Sequence, residues 1–473
     1  MKDVLTKGVF YSLLFVMIFT GVFFIIHNAT WLVGDDSACI THTGWGNPYS
    51  LSDSTIPETG RFYPLAFVMY NILPILGLSS VSAHFTLHSI IFCLMLLCIC
   101  WVCWKSIDKP DTLGWIYMTL LAVTAICFAR SYRYFLSTEW SLWVDYFLIV
   151  IWTLSTYYVH KKQSTLAAII GFISITYFCY CLEVNSAIPF SYGFLGLVLL
   201  RKNSTRLEKT YYVSMIITAA LYFVFYYFLI YLNLGDKIYD SSHGVQMSIF
   251  EIAVRMFYAQ KIFWVGIILL ALKILKIFKR QASFDWWDIL ILSGFAYYVG
   301  CVAMHLHHTV YHWTAALCML PAVIHYLSEW LGSKWSAIIM LVLALIMCHR
   351  LPRVIMDNQS DRIASIKLQE ILKSEIQEGK DIFYFAPYVE DDGSNPYEHR
   401  QQKMYCLPSY IGNAINNHEY KLKTITEFTL SRGIYILPEE NECLIPGAND
   451  LVINAGQVIF KGGYGNLTLV MVK

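Results

Sequence analysis

The stretch TYYVSMIITAALYFVFYYFLIYL, residues 210–232, continues for 23 positions without a charged side chain. A helix of that length is about 34 Å long, enough to cross the roughly 30 Å hydrocarbon core of a bilayer. The rest of the chain has the same character, since 57% of its 473 residues are hydrophobic and only 14% are charged. Soluble globular proteins carry about 25% charged residues. The sequence therefore predicts an α-helical polytopic membrane protein.

Ten further apolar runs bring the predicted number of spans to eleven. They cover residues 8–27, 83–104, 113–129, 139–159, 164–182, 187–200, 261–278, 287–304, 313–331 and 335–349. Lys2 and Lys7 precede the first run and no small-x-small cleavage site follows it, which predicts an uncleaved anchor rather than a signal peptide. Of the basic residues in the loops between spans, most lie in alternate loops, including Lys161 and Lys162. The positive-inside rule places these loops and the N-terminus in the cytoplasm, and the opposite loops and the C-terminus outside it.

The composition changes after Arg350 and divides the chain into two predicted domains, 1–350 and 351–473. The second contains 16 of the 33 acidic residues and no run long enough to span a membrane. Apolar spacing predicts one helix and several short strands, so we expect an extracytoplasmic mixed α/β domain. The predicted helix is 357–379, and the predicted strands are 381–387, 433–437, 451–454 and 467–472.

Cys406 and Cys443 are the only cysteines in this second domain. In an oxidising compartment they would form a disulfide. Two buried thiols are the alternative, and Cys39 in the first outer loop is a competing partner.

The first outer loop, 28–62, carries the strongest functional pattern. This loop begins with W-L-V-G-D-D, directly after the first span, and ends with G-R-F-Y-P. We therefore expect Asp35, Asp36 and Arg61 all to lie near the membrane face. Partial desolvation and mutual repulsion suit one carboxylate of such a pair to act as a general base. The alternative is that Gly-Asp-Asp only caps the span and turns the chain. The apolar segments 62–78 and 246–261 have the mixed character of helices that lie in the membrane interface.

These features resemble the GT-C superfamily of polytopic membrane glycosyltransferases that use polyprenyl-phosphate sugars. The W-x-x-G-D-D and G-R-F-Y-P motifs are most similar to bacterial and phage glucosyltransferases that modify O-antigen. The resemblance implies that Asp35 or Asp36 is the catalytic base and that basic residues hold the donor phosphate. It also implies transfer of a sugar, glucose in such enzymes, at the outer face of the bacterial cytoplasmic membrane, with a periplasmic C-terminal domain. The implied partners are the lipid-linked donor, a surface polysaccharide or lipid-linked acceptor, and the bilayer.

The other candidate site residues lie near the outer ends of predicted spans. Arg61, Arg130 and Arg133 are candidates for the donor phosphate because a guanidinium group matches phosphate oxygens and stays charged. The alternative for Arg130 and Arg133 is interfacial anchoring. Glu139 would pair with an arginine or contact the sugar, and Glu183 and Asn185 are candidates for sugar hydroxyls.

Two further features involve ionisable residues in or beside the spans. His305, His307, His308 and His312 form H-L-H-H-x-x-x-H. We assign His307 and His308 to phosphate binding, with a divalent metal site as the alternative. Asp145 is set most deeply in an apolar run and should face the bundle with a partner that the sequence does not identify.

Several function classes are disfavoured by the sequence. A net charge of +1 argues against nucleic acid as a partner. The chain contains neither G-x-x-x-x-G-K-[ST] nor G-x-G-x-x-G, which fits a lipid-linked donor that needs no nucleotide loop or other cofactor. A flippase or transporter should distribute charge through its spans and show related halves. An O-antigen polymerase should have its large outer loop between spans rather than at the chain's end.

Overall fold

The computed structural model describes most of the helical part of the chain and sections of the C-terminal part. The described residues are 48–57, 60–77, 81–107, 140–234, 248, 250–251, 254, 261–304, 311–348, 363, 366–367, 370–375, 381–385, 423–425, 430–437, 447–462 and 467–473.

Helices occupy each of the nine predicted spans that fall on described residues. They are α2 (Val81–Ser106), α3 (Trp140–Lys162), α4 (Thr165–Cys179), α5 (Ala187–Leu199), α6 (Arg206–Leu229), α7 (Lys261–Phe278), α8 (Trp286–Ala303) and α9 (His312–Cys348), after a short helix α1 (Val68–Ile75). Gly332, with φ of 72°, kinks α9 between the last two predicted spans. Within the described ranges, four segments are long and apolar enough to cross a membrane: 89–106, 206–233, 286–303 and 312–332. The chain is thus a helical membrane protein, whereas the count of eleven spans stays a prediction because 8–27 and 113–129 lie outside the described residues.

Polar side chains fix where several helices begin. Thr205 caps α6 by accepting from the Glu208 backbone N–H, and the Glu208 carboxylate accepts in return from the Thr205 N–H at 2.6 Å. Asp285 and Asp288 form the same reciprocal pair at the start of α8. Each pair satisfies N–H groups that a helix start leaves without an intrahelical partner.

The hairpin of α4 and α5 is shorter than the helices beside it. The helix α4 has 15 residues and α5 has 13, whereas α3 has 23 and α6 has 24. At 1.5 Å per residue, α4 and α5 are about 22 and 20 Å long, and α3 and α6 about 35 and 36 Å. The helix α4 packs against α3, and α5 against α6. The turn between α4 and α5, residues 180–186, therefore stops short of the far ends of α3 and α6, and its residues Glu183–Ser186 are buried.

A stack of four rings joins α3, α8 and α9 at the opposite end of the bundle. His160 lies parallel to Trp286 with ring centroids 5.0 Å apart, Trp286 and Trp287 are 3.7 Å apart, and Trp287 stacks on His325 at 4.7 Å. His160 also contacts Glu208 and the Tyr192 hydroxyl through its two ring nitrogens. Both stacking and hydrogen bonds therefore stabilise this end of the bundle.

The described C-terminal residues contain a five-stranded mixed sheet. Its strands are β3 (Ile382–Phe385), β4 (Lys423–Ile425), β5 (Gly433–Leu437), β6 (Gln457–Gly462) and β7 (Leu467–Val472), and they lie side by side in the order β4-β3-β5-β7-β6. The pairs of β3 with β4 and β5 are parallel, and those of β7 with β5 and β6 are antiparallel. Strands were thus correctly predicted within 381–387 and at 433–437 and 467–472. Residues 370–375, inside the predicted helix 357–379, are helical.

The predicted strand at 451–454 is wrong, because these residues lie in helix α10 (Ala448–Ala455). The burial does not alternate as it would in a strand: Val452 is wholly buried, but Asn454, two residues further along, is exposed, as are Leu451 and Ile453. The strand of this region is β6, which begins two residues after the helix ends. The domain boundary at 350–351 and the extracytoplasmic location of the sheet stay predictions, as does the disulfide, since Cys39, Cys406 and Cys443 lie outside the described residues.

Candidate active site

The end of the first outer loop folds as a β-hairpin rather than as the start of an interfacial helix. After the 3-10 helix Leu51–Ser54, the strands β1 (Thr55–Ile56) and β2 (Arg61–Phe62) pair antiparallel. Of the interfacial helix predicted over 62–78, only α1 (Val68–Ile75) forms. The first part cannot be helical because Arg61 and Phe62 are in a strand and Pro64 disfavours helix in the residue before it. Residues 250, 251 and 254 of the other predicted interfacial segment are helical.

Gly60 sets the turn that leads into β2. Its φ is +74°, in the left-handed region that favours glycine. A Cβ atom at this position would lie 3.3 Å from Leu234 Cδ1 and 3.5 Å from the Tyr226 hydroxyl. The backbone conformation favours glycine immediately before Arg61, and the close approach of Tyr226 and Leu234 adds to this preference.

The central contact joins the hairpin to the turn between α4 and α5. Arg61 Nε donates to Glu183 Oε1 at 2.8 Å, and the Phe62 backbone N–H donates to the same oxygen at 2.9 Å. The Glu183 side chain is only 3% exposed and that of Arg61 17%. The guanidinium group also lies over the Tyr63 ring, 4.5 Å from its centroid. Burying a charged pair to this extent is costly unless the geometry of the pair is good. Charge-assisted hydrogen bonds of this length provide that geometry.

Two tyrosines of α6 hold the backbone on either side of Arg61. The Tyr226 hydroxyl donates to the Gly60 carbonyl at 2.9 Å, and the Tyr222 hydroxyl donates to the Phe62 carbonyl at 2.8 Å. They are four residues apart on one face of the helix, which explains why both reach the same strand. Neither tyrosine was identified as a site residue from the sequence. Its only signal for them is their helical spacing near the end of a predicted span.

Asn185 and Asp145 form a second buried pair, next to the Arg61–Glu183 pair. Asn185 Nδ2 donates to Asp145 Oδ2 at 2.9 Å and to the Phe178 carbonyl at 2.7 Å, and both residues are buried. Asn185 is thus the partner of Asp145 that the sequence did not identify. Because Glu183 and Asn185 belong to the same 3-10 turn, Glu183–Ser186, one short element supports both pairs.

The structure brings together three of the sequence-predicted site residues, Arg61, Glu183 and Asn185. The other predicted site residues lie outside the described residues: Asp35, Asp36, Arg130, Arg133, Glu139, His305, His307 and His308. Their roles stay predictions. His312, the last histidine of the motif, is buried in the first turn of α9. Over the part of the chain that the structure describes, no group of three or more His, Cys, Asp or Glu side chains is placed to hold a metal ion.

Comparison with known proteins gives structural similarities only. No family model matches the sequence, and no curated protein does. The structure is similar to ArnT from Cupriavidus metallidurans bound to undecaprenyl phosphate, with a TM-score of 0.49 and 9% identity over 97% of each chain. It is also similar to the Archaeoglobus fulgidus oligosaccharyltransferase in complex with zinc and sulfate, with a TM-score of 0.45 and 10% identity over 86% of this chain and 61% of that one. Similarity at this level does not establish an activity, so we argue function from the chain's own residues.

Proposed function

We propose that the protein is an inverting glycosyltransferase that moves a hexose from a polyprenyl-phosphate donor to a surface polysaccharide or lipid-linked acceptor. Glucose is the sugar that the resemblance to O-antigen-modifying glucosyltransferases implies. The reaction would take place at the outer face of the bacterial cytoplasmic membrane, with the N-terminus in the cytoplasm and the C-terminal domain in the periplasm.

The observation that carries this proposal is the depth of the Arg61–Glu183 pair. The turn that bears Glu183 is separated from the opposite end of the bundle by α4, a helix of 15 residues. That helix rises about 22 Å, less than the roughly 30 Å hydrocarbon core. A guanidinium group held at this level of the helical bundle suits a phosphate that a lipid anchors in the leaflet.

The reaction that fits these residues is a single displacement. A carboxylate of Asp35 or Asp36 takes the proton of an acceptor hydroxyl, and the acceptor oxygen attacks the anomeric carbon. The bond between that carbon and the phosphate oxygen breaks, and its electron pair leaves with the polyprenyl phosphate. Positive charge held close to the departing phosphate lowers the barrier. We assign this role to Arg61, with Arg130, Arg133, His307 and His308 as further contacts to the phosphate.

The contacts of Glu183 favour a role in orienting Arg61. Its Oε1 atom accepts from both the side chain of Arg61 and the adjacent backbone, which fixes the direction of the guanidinium group. Glu139 and Asn185 remain our candidates on the sugar and acceptor side. The proposed reaction needs no cofactor, so treatment with EDTA should leave the rate unchanged; loss of activity restored by a divalent ion would assign the histidine motif to metal binding.

Mass spectrometry of the surface polysaccharide, with and without the gene, tests the proposal. We expect a gain of one hexose per modified repeat, absent when Asp35→Asn or Asp36→Asn replaces the wild type at equal membrane levels. Full activity of both single variants would remove the carboxylate pair from the mechanism. Altered polysaccharide length or export without added hexose would instead indicate a polymerase or a flippase and overturn the proposal.

A further inference from the structure

Two connecting segments are joined side by side at the end of the bundle that carries the ring stack. Gln163, between α3 and α4, accepts a hydrogen bond from the hydroxyl of Thr205, which precedes α6, at 2.6 Å. Three residues away in each segment, a ring nitrogen of His160 contacts the Glu208 carboxylate at 2.8 Å. The segments 160–164 and 200–209 therefore form one surface, although the joined residues are 42 positions apart in the sequence.

This surface is strongly basic. We call its five exposed basic side chains the basic surface: Lys161, Lys162, Arg201, Lys202 and Arg206. The only acidic residue in the two segments, Glu208, is buried and binds His160 and the Thr205 backbone. Over the part of the chain that the structure describes, none of the five basic residues forms a salt bridge. Their positive charge is therefore available to a partner outside the chain.

Neighbouring side chains place the basic surface at the level of lipid head groups. One turn before Lys162, the Tyr158 hydroxyl accepts from the Trp101 indole N–H at 2.7 Å, and Trp101 is 47% exposed. Tryptophan and tyrosine are enriched where a membrane meets water. On the other side, α4 begins with the exposed apolar side chains of Leu166 and Ile169, which suit contact with acyl chains. The basic surface thus borders the part of the protein that faces lipid.

These features match an anionic phospholipid. Its phosphate oxygens can accept from the guanidinium groups of Arg201 and Arg206 and from the neighbouring ammonium groups. Membranes that contain anionic lipids attract clusters of lysine and arginine at the ends of membrane helices. A nucleic acid or an acidic peptide would match the charge, but not the exposed apolar face and the interfacial aromatic pair beside it.

We propose that the basic surface binds the head groups of anionic phospholipids in the leaflet beside it, which the sequence predicts to be the cytoplasmic one. The surface is built from both the α3–α4 and the α5–α6 hairpin, so a head group bound there stabilises their association. This inference is independent of the proposed sugar transfer, because it needs neither donor nor acceptor.

The test is thermal unfolding of the full-length protein in mixed micelles, in which phosphatidylglycerol replaces phosphatidylcholine at constant total lipid. A ligand that binds only the folded state raises Tm with concentration. We expect a saturating upward shift of a few degrees as the phosphatidylglycerol fraction rises. Absence of this shift in the wild type would overturn the proposal. An equal shift with glycerol 3-phosphate, which has no acyl chains, would assign the surface to a soluble phosphate and overturn it too.

Variants of the basic surface test whether it causes the shift. The triple variant Arg201→Gln, Lys202→Gln and Arg206→Gln should unfold as the wild type does in phosphatidylcholine and lose most of the shift with phosphatidylglycerol. A full shift in this variant would contradict the proposal. If the triple variant does not fold, Lys161→Gln combined with Lys162→Gln decides, and an unchanged shift in that double variant counts against the surface.

A matched control separates this surface from the net charge of the protein. Arg432→Gln, Lys461→Gln and Lys473→Gln together remove the same charge from exposed positions in or beside the C-terminal sheet. This control should keep the wild-type shift. If it loses as much of the shift as the first triple variant, net charge rather than the basic surface attracts the lipid, and the proposal is wrong.

Discussion

One oxygen of Glu183 accepts hydrogen bonds from both Arg61 Nε and the backbone N–H of Phe62, across 121 or more positions of sequence. The carboxylate therefore fixes the guanidinium group and the strand that carries it at the same time. Tyr222 and Tyr226 hold the carbonyls on either side of this arginine. Arg61 is thus placed by the backbone as well as by its own side chain, and the consequences can be measured.

Arg61→Lys should impair use of the lipid-phosphate donor although it keeps the positive charge. Lysine has no group equivalent to Nε, so one ammonium cannot bind Glu183 and face a phosphate with the same geometry. Hydrogen bonds to charged groups are worth about 1.5–3 kcal/mol, which corresponds to roughly a 10- to 100-fold loss in kcat/KM. The measurement is hexose transfer by isolated membranes at equal protein levels. A lysine variant equal to wild type would rule out a role for the planar guanidinium group.

Tyr222→Phe and Tyr226→Phe should each lower the free energy of unfolding by about 1 kcal/mol, since each loses one hydrogen bond to a hairpin carbonyl. Tyr227→Phe is the matched control, because it lies on the same helix with its ring exposed. Thermal unfolding in detergent gives the comparison. We expect the first two variants to lose Tm and the control to keep it. Equal behaviour of all three would mean that these hydroxyls do not hold the hairpin.

Gly60→Ala should destabilise the protein more than Gly77→Ala. Both glycines have positive φ, +74° and +70°, so both alanines carry backbone strain of about 1 kcal/mol or more. Only Gly60 has neighbours within 4 Å of the added Cβ, and only it precedes Arg61. The difference in Tm between the two variants isolates the contact with α6. Transfer activity should fall in Gly60→Ala alone, and a similar loss in Gly77→Ala would contradict this assignment.

The helices could be predicted from the sequence, whereas the contacts of the site could not. Continuous apolar runs such as 210–232 fix a helix through local hydrogen bonds, so their positions were predicted closely. The position of the turn between α4 and α5 along the bundle depends on the length of α4 relative to α6, and a few residues at the helix ends decide it. The Arg61–Glu183 pair depends on packing between segments that are far apart in the sequence. The residues adjacent to Arg61 and to Glu183 do not indicate this contact. The prediction of a strand at 451–454 is wrong because Leu451 and Ile453, two exposed apolar residues in a short helix, resemble part of a strand in the sequence.

Lys273→Met should be the most destabilising of these changes, although Lys273 lies at the opposite end of the bundle from the Arg61–Glu183 pair. Lys273 Nζ is 3.0 Å from Asp285 Oδ2 and 3.5 Å from Asp288 Oδ2, and the Tyr326 hydroxyl lies 2.9 Å from Asp285 Oδ1 and 2.7 Å from Asp288 Oδ1, so that its one hydrogen is shared between the two carboxylates. Asp288 has no solvent exposure, so removing the ammonium group leaves its charge buried beside a second carboxylate.

Breaking a buried pair from one side costs about 3–5 kcal/mol, so the Tm of Lys273→Met should fall by several degrees. Lys279→Met, on the exposed turn after α7, removes the same charge without touching the cluster and should change Tm little. The double variant Lys273→Met with Asp288→Asn should recover part of the loss, because it removes the carboxylate left without its cation. No recovery in the double variant would show that Lys273 acts through packing of its alkyl chain instead of its charge.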